Sequence, residues 1–179
     1  MRKQSTASEL DFEIDELTNS IKNRLTCEEF PTDVSKLSHS DLTLLKKESK
    51  KWHFDWSLEN KTENRFVRKL TTIDNPTIIH GIISYSDLKD HVFMHLIENA
   101  RFNIGENKAY MGVAGNLVAH CCKESLELGY DGVVLFLAKT RLIDHYKKSL
   151  NAKQFIGNKM IIESKFSLNL VHKYFKDYR

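Results

Sequence analysis

Three places in this chain combine residue types and spacing that could do chemistry. The loop AYMGVAGN, Ala109 to Asn116, opens into an apolar-periodic stretch that ends at Gly129. Gly112 and Gly115 let the backbone approach a ligand closely, and the helix that follows aims unpaired N–H groups and the positive end of its dipole at the same point. That junction is suited to holding an anion, a phosphate above all. The second place is Glu98, the one carboxylate in the run HVFMHLIENA from His91 to Ala100. A part-buried carboxylate at the end of an apolar strand is suited to accept a proton, directly or through a water; the alternative is a solvated strand-end glutamate. The third place is a scatter of histidines and cysteines. His91 and His95 share a strand face, His120 precedes Cys121 and Cys122, and His145 adjoins Tyr146. With no C-x-x-C and no H-x-x-x-H on a predicted helix, no metal is expected. Neighbours on a helix do not face each other, which argues against a His120–Cys121 nucleophile. His95 stands as a second candidate base.

The elements that must position these residues are legible on either side of the loop. His91 to Ala100 and Asp131 to Ala138 are short apolar runs without the 3.6-residue spacing of a surface helix, and they read as buried strands. Strand, loop, helix, strand with a right-handed crossover makes the two strands parallel and leaves the loop at the carboxyl end of the first. Two phosphate-binding motifs fail on their residues. The glycine spacing is GxxG rather than GxGxxG, with Asp131 before the second strand rather than at its end, and Gly115 is followed by Asn116 and Leu117 instead of Lys and Ser or Thr.

Upstream, Phe12 to Thr18 alternates and is predicted as the first strand, and Ile21 to Val34 as an irregular extended piece. Ser40-Asp41 starts a predicted helix over Leu42 to Trp52. Asn64 to Ile73 and Thr77 to Ser84 are predicted strands parted by the turn Asp74-Asn75-Pro76. Downstream, Thr140 caps a predicted helix through Leu150, Phe155 to Gly157 and Lys159 to Glu163 form a hairpin, and a helix covers Phe166 to Phe175.

Taken together, the loop in its strand context resembles the GNAT superfamily of acetyl-CoA-dependent N-acetyltransferases. The family's loop, Gln/Arg-x-x-Gly-x-Gly/Ala, is matched by Ala109-Tyr110-Met111-Gly112-Val113-Ala114, with Ala109 departing at the first position. Downstream, the family's Asn-x-x-Ala-x-x-Phe-Tyr-x-x-x-Gly-Phe aligns with Lys139 to Ala152: Tyr146 is kept, Lys139, Leu142 and His145 differ, and Asn151 stands near the usual Gly. The likeness covers roughly Ile78 to Phe175.

The resemblance implies an α+β fold: a mostly antiparallel mixed sheet, one parallel strand pair splayed for CoA, and helices on both faces. It implies acetyl-CoA as cosubstrate, with no metal, and direct transfer to a primary amine in a ternary complex. Backbone N–H groups of Met111, Gly112, Val113, Ala114, Gly115 and Asn116 would take the pyrophosphate, with no side-chain help from Ala109. Leu96 and Ile97 would lie beside the thioester, Glu98 would act as base, and Tyr146 would protonate the leaving thiolate; the alternative for Tyr146 is a core tyrosine on an apolar helix face. The amine acceptor, a small molecule or a peptide, would be set by Thr18 to Asn64 and by the final hairpin. Trp52, Phe54 and Trp56 would line its pocket or, the reading favoured here, anchor the helix to the sheet. A CoA-binding or regulatory module without catalysis is the principal alternative. A nucleic-acid-binding or aminoacyl-tRNA-acetylating protein using Lys46 to Lys51 is the weaker one, and a homodimer is left open.

Length and composition agree with one domain. The 179 residues are 41% hydrophobic, enough for a substantial core, with residues 1–10 as a flexible tail and 11–179 as the folded unit. No apolar run approaches the roughly 20 residues of a membrane span, and the N-terminus lacks a signal-like stretch, so a cytoplasmic protein is expected. The charge of +3 from 27 basic and 24 acidic residues is nearly balanced. Three cysteines, an odd number with two adjacent, are expected to be reduced thiols.

Overall fold

Apolar residues on both faces of the central strands force a layer of helices onto each side. The computed structural model describes residues 9–16, 20–175 and 177–178. The main sheet is built from β3 (Thr32–Lys36), β4 (Phe66–Thr72), β5 (Gly81–Asp87), β6 (Val92–Asn99), β8 (Val134–Leu137), β10 (Lys159–Ile162) and β9 (Lys153–Ile156), in that spatial order. Every neighbouring pair is antiparallel except β6 and β8, which are parallel. A small second sheet joins β2 (Glu29–Phe30), β1 (Ile21–Asn23) and β7 (Tyr110–Met111). The helices are α1 (His39–Lys47), α2 (Trp56–Glu59), α3 (Val113–Glu127), α4 (Ile143–Ser149) and α5 (Ser164–Tyr174).

On one face, Leu45 of α1 and Trp56 of α2 pack with Val67, Ile82 and Leu96. On the other, α3 and α5 contribute Leu117, Val118, Leu170 and Val171 to a larger cluster that also takes Ile83, Met94, Phe136 and Tyr146. Trp56 is fully buried and Trp52 and Phe54 pack against it, so the aromatic trio does anchor the helix layer. α1 begins with a reciprocal cap, Ser38 Oγ accepting from the Asp41 N–H and Asp41 accepting from the Ser38 N–H, and the same carboxylate takes the buried Lys69 ammonium at 2.8 Å.

The sheet opens beside the loop, and the reason is local. β5 and β6 are in register from Gly81↔Asn99 to Ser84↔Leu96, then resume at Tyr85↔Met94. His95 is thus an extra residue on β6, a bulge that bends and twists the strand. The β6–β8 ladder runs from Val92↔Val134 to Met94↔Phe136 and ends there, while β6 continues to Asn99. A wedge is left between the two parallel strands.

Two expectations change. Among the described residues of Phe12 to Thr18, no strand forms; residues 17 and 18 lie outside the described set. The Phe12 N–H and C=O both meet the Tyr146 hydroxyl, and the Ile14 N–H meets His145 Nε2 at 2.8 Å, so side chains take the bonds a neighbouring strand would have taken. The piece Ile21 to Val34 is more regular than expected, forming β1, β2 and the start of β3. Of the tail, residues 1–8 lie outside the described set, and Leu10 is buried in the larger cluster.

Candidate functional site

The wedge contains a piece of the chain's own backbone. The Ala138 N–H donates to Asn158 on the β10 side at 2.9 Å. Alternation along a strand therefore turns the Leu137 C=O and the Lys139 N–H toward β6. Both are taken by Leu10: its N–H donates to the Leu137 C=O at 2.6 Å and its C=O accepts from the Lys139 N–H at 3.1 Å, a parallel bridge to Ala138. Leu10 thus extends the β8 ladder at the point where β6 has turned away.

At the carboxyl end of the wedge stands the glycine loop. Gly112 caps α3 in the left-handed conformation, with φ 87°, which a side chain would oppose. Its N–H donates to Asp15 Oδ1 at 3.0 Å, and the other oxygen of that carboxylate takes Lys108 Nζ at 2.8 Å. The first-turn N–H groups of Val113, Ala114 and Gly115 follow at the same helix end, without acceptors within the helix. Asn116 is occupied structurally: its amide donates to the Gly112 C=O at 2.7 Å and to the Ser20 C=O at 3.3 Å, and its oxygen accepts from Thr32 Oγ1 at 2.9 Å. Met111 pairs with Lys22 of β1. The loop therefore holds an anionic oxygen already, and the cation beside it is Lys108, next to the position where Ala109 supplies none.

Leu96 and Ile97 lie on β6 beyond the end of the ladder with β8, both buried. Glu98 follows, and its carboxylate accepts from the His53 N–H at 2.6 Å, the Phe54 N–H at 3.3 Å and Trp56 Nε1 at 2.8 Å. It pins the segment that leads into α2. Tyr146 is 0% exposed, with its ring edge-on to Phe136. Its hydroxyl donates to the Phe12 C=O at 2.7 Å, and burial makes that proton harder to lose than in water. Glu98 is bonded into the α2 side of the sheet, whereas Tyr146 belongs to the cluster on the other face.

The histidines separate into distinct environments. His95 Nε2 lies 2.7 Å from an Arg65 nitrogen, and Arg65 also holds Glu59 at 3.1 Å. Burial and then the Arg65 charge lower the His95 pKa to about 3, so the ring is neutral and its accepting nitrogen faces a cation. That arrangement does not suit the second-base role. His120 is buried beside Tyr85, with its pKa lowered to about 3 by burial and the Arg68 and Lys123 charges, and His145 is bonded to Ile14. Among the described residues, no group of three His, Cys, Asp or Glu is placed to hold a metal ion.

Three residues near the site escaped sequence reading. Asp15 and Lys108 meet across 93 positions, and no periodicity announces such a pair. His80 is buried edge-on against Tyr110 and Phe102 behind the loop, with its pKa lowered to about 4 by desolvation. On the α1 side, a cavity of about 210 Å³ is lined by Lys46, Trp52, Phe54, Asp55 and Trp56, adjoining the segment that Glu98 holds.

No protein-family model matches the chain, and no curated protein does. Solved structures do match it. A spermidine N-acetyltransferase SpeG chimera from Vibrio cholerae and hSSAT is similar at 13% identity and a TM-score of 0.52, covering 77% of this chain and 98% of that one. A second such chimera gives 11% and 0.51 over 77% and 98%. A KacTA–DNA complex gives 11% and 0.51 over 78% of this chain and 97% of that one. No helix among the described residues is long and apolar enough to cross a membrane. With its splayed parallel pair and its glycine-capped helix, the chain has the fold of the GNAT N-acetyltransferases.

Proposed function

We propose that the protein is an N-acetyltransferase that passes an acetyl group from acetyl-CoA to a primary amine by direct transfer in a ternary complex. The observation that carries this reading is the pairing of the β6 edge that β8 leaves beyond Met94 with an anion-holding helix end at Gly112. An extended polar arm ending in phosphates needs those two features at the two ends of one cleft. The Asp15 carboxylate on the Gly112 N–H, beside Lys108, supports the fit, since an anionic oxygen is accommodated there without rebuilding the loop.

The cosubstrate would supply an activated thioester. The chain would supply the rest. The backbone from Met111 to Asn116, with Lys108, binds the pyrophosphate. Backbone donors near Leu96 and Ile97 face the thioester carbonyl, each contributing about 3 kcal/mol to stabilising its developing charge. Glu98 takes the proton of the amine, and its bonds to His53, Phe54 and Trp56 hold the acceptor-side wall, including the aromatic cavity. Tyr146 carries the proton for the thiolate.

Isothermal titration with acetyl-CoA tests the core of this reading; absence of binding at millimolar cofactor in the wild type and in Asp15→Asn alike refutes it. Gly112→Glu should abolish binding by putting a side chain and a negative charge in the cradle. A second reading, a CoA-binding module without catalysis, is favoured by one observation: Glu98 and Tyr146 both spend their polar atoms on the protein's own backbone and side chains. Thiol release from acetyl-CoA with a panel of amines separates the two.

A further inference from the structure

We propose that the chain's own segment from Leu10 to Asp15 is an inhibitory strap that fills the cofactor cleft and must leave before acetyl-CoA enters. The inference rests on the cleft assignment made above and adds its regulation.

Three sets of contacts, one at each part of the cleft, carry it. In the wedge, Leu10 bonds the Leu137 C=O and the Lys139 N–H on the side of β8 that faces β6, and so occupies space an entering extended arm would take. At the helix end, Asp15 occupies the Gly112 N–H and neutralises Lys108. Between them, Phe12 engages the Tyr146 hydroxyl and Ile14 engages His145, two neighbours on α4. The segment thus runs from the mouth of the wedge to the phosphate cradle, with a bonded contact at each part.

Its sequence suits the task. In Glu9-Leu10-Asp11-Phe12-Glu13-Ile14-Asp15-Glu16, acidic and apolar residues alternate until the last position. Leu10 and Ile14 are buried in the main cluster, whereas Asp11 pairs with Lys139 and Arg141 and Asp15 with Lys108. An acidic strand with an apolar side is a peptide imitation of a polyanion with an apolar arm, and the same cations serve both. The attachment combines a few ion pairs, one two-bond bridge, the bonds to Tyr146 and His145 and the burial of Leu10 and Ile14. Cofactor affinity is then reduced by the fraction of molecules in which the strap is docked.

The test uses the full chain. Acetyl-CoA is titrated calorimetrically into the wild type, Asp15→Asn and Asp11→Asn/Asp15→Asn, and amide hydrogen exchange at Leu10 and Ile14 is followed in the wild type with and without saturating cofactor. The strap predicts that Kd falls about tenfold for each lost anchor. It also predicts that both amides lose protection when cofactor binds. Binding by the variants but not by the wild type would support it most strongly. If cofactor binds while Leu10 and Ile14 stay protected, the strap is overturned and the acetyltransferase reading stands, even where removal of a nearby negative charge has tightened Kd. If none of the three proteins binds, the cleft assignment falls and the strap with it. Where the wild type binds, the exchange measurement decides the matter even if a variant fails to fold, because it needs only the unaltered chain.

Discussion

At the scale of single residues, the site is made of groups whose positions the sequence discloses and whose partners it does not. Glu98 stands out as a lone carboxylate in an apolar strand, but its three donors lie 42 to 45 positions upstream on a segment with no regular period. Tyr146 is visible through a family pattern, yet its hydrogen bonds reach back 134 positions to Phe12. Tyr146→Phe should not weaken acetyl-CoA binding, but should lower turnover and cost about 1–3 kcal/mol, because the Phe12 C=O is left without its donor; a urea titration beside the turnover assay reads both. Wild-type turnover in that variant would remove the general acid. The buried histidines set a pH dependence of stability. His80, His95 and His120 have pKa values lowered to about 4, 3 and 3, while in the unfolded chain they titrate near 6.5. Above that value both states are neutral. Below it the unfolded state takes up protons that the folded state refuses, so stability falls as pH drops from about 6.5 toward 4, by up to ~1.4 kcal/mol per pH unit for each histidine. Urea midpoints at pH 7.5 and pH 5 should differ accordingly, and His120→Gln should flatten the slope.

At the scale of elements, the strands and helices follow from hydrophobic period, and the cleft follows from a departure from it. The turn at Asp74 to Pro76, the strand before it and the hairpin at Gly157-Asn158 were legible because turn residues and alternation coincide there, whereas the strand expected from Thr77 begins only at Gly81. The wedge itself was implied only by resemblance, since the bulge at His95 is an accident of register between β5 and β6 that leaves no mark in either strand's composition. Close packing carries the effect of β5 onto the cradle. A Cβ on Gly81 would lie 2.8 Å from Val113 Cγ1 and 3.1 Å from Leu117 Cδ1, pressing on the first turn of α3. Gly81→Ala should therefore destabilise the fold by about 1–3 kcal/mol and weaken acetyl-CoA binding together, as read by denaturation and calorimetry. On the opposite face, Lys69→Met would strand the buried Asp41 carboxylate without its cation, at a cost of about 3–5 kcal/mol measured by urea unfolding.

At the scale of the whole molecule, the N-terminal segment, the glycine loop and the two ends of the parallel pair form one linked system. A ligand that binds only the folded state at a hundred times its Kd adds about 2.7 kcal/mol. For a domain of this size that corresponds to a rise in Tm of about 5–10 °C. A thermal melt with saturating acetyl-CoA should show it, and an unchanged Tm would count against the cofactor assignment. The fold class could be read from the chain because layers and crossovers obey general rules, whereas the docking of residues 10–15 could not, because it depends on contacts with residues 93 to 134 positions away. The cysteines have a practical consequence at this scale. Cys121 and Cys122 are sealed inside α3, their thiols pushed upward by desolvation, Cys122 to about 12, so a maleimide cannot reach or activate them. Cys27 alone is exposed, in the turn between β1 and β2, and β1 in turn pairs with β7 at the entrance to the glycine loop. The native chain thus takes a single fluorophore without mutagenesis, at a position mechanically coupled to the cradle, and can serve as its own optical reporter of events there.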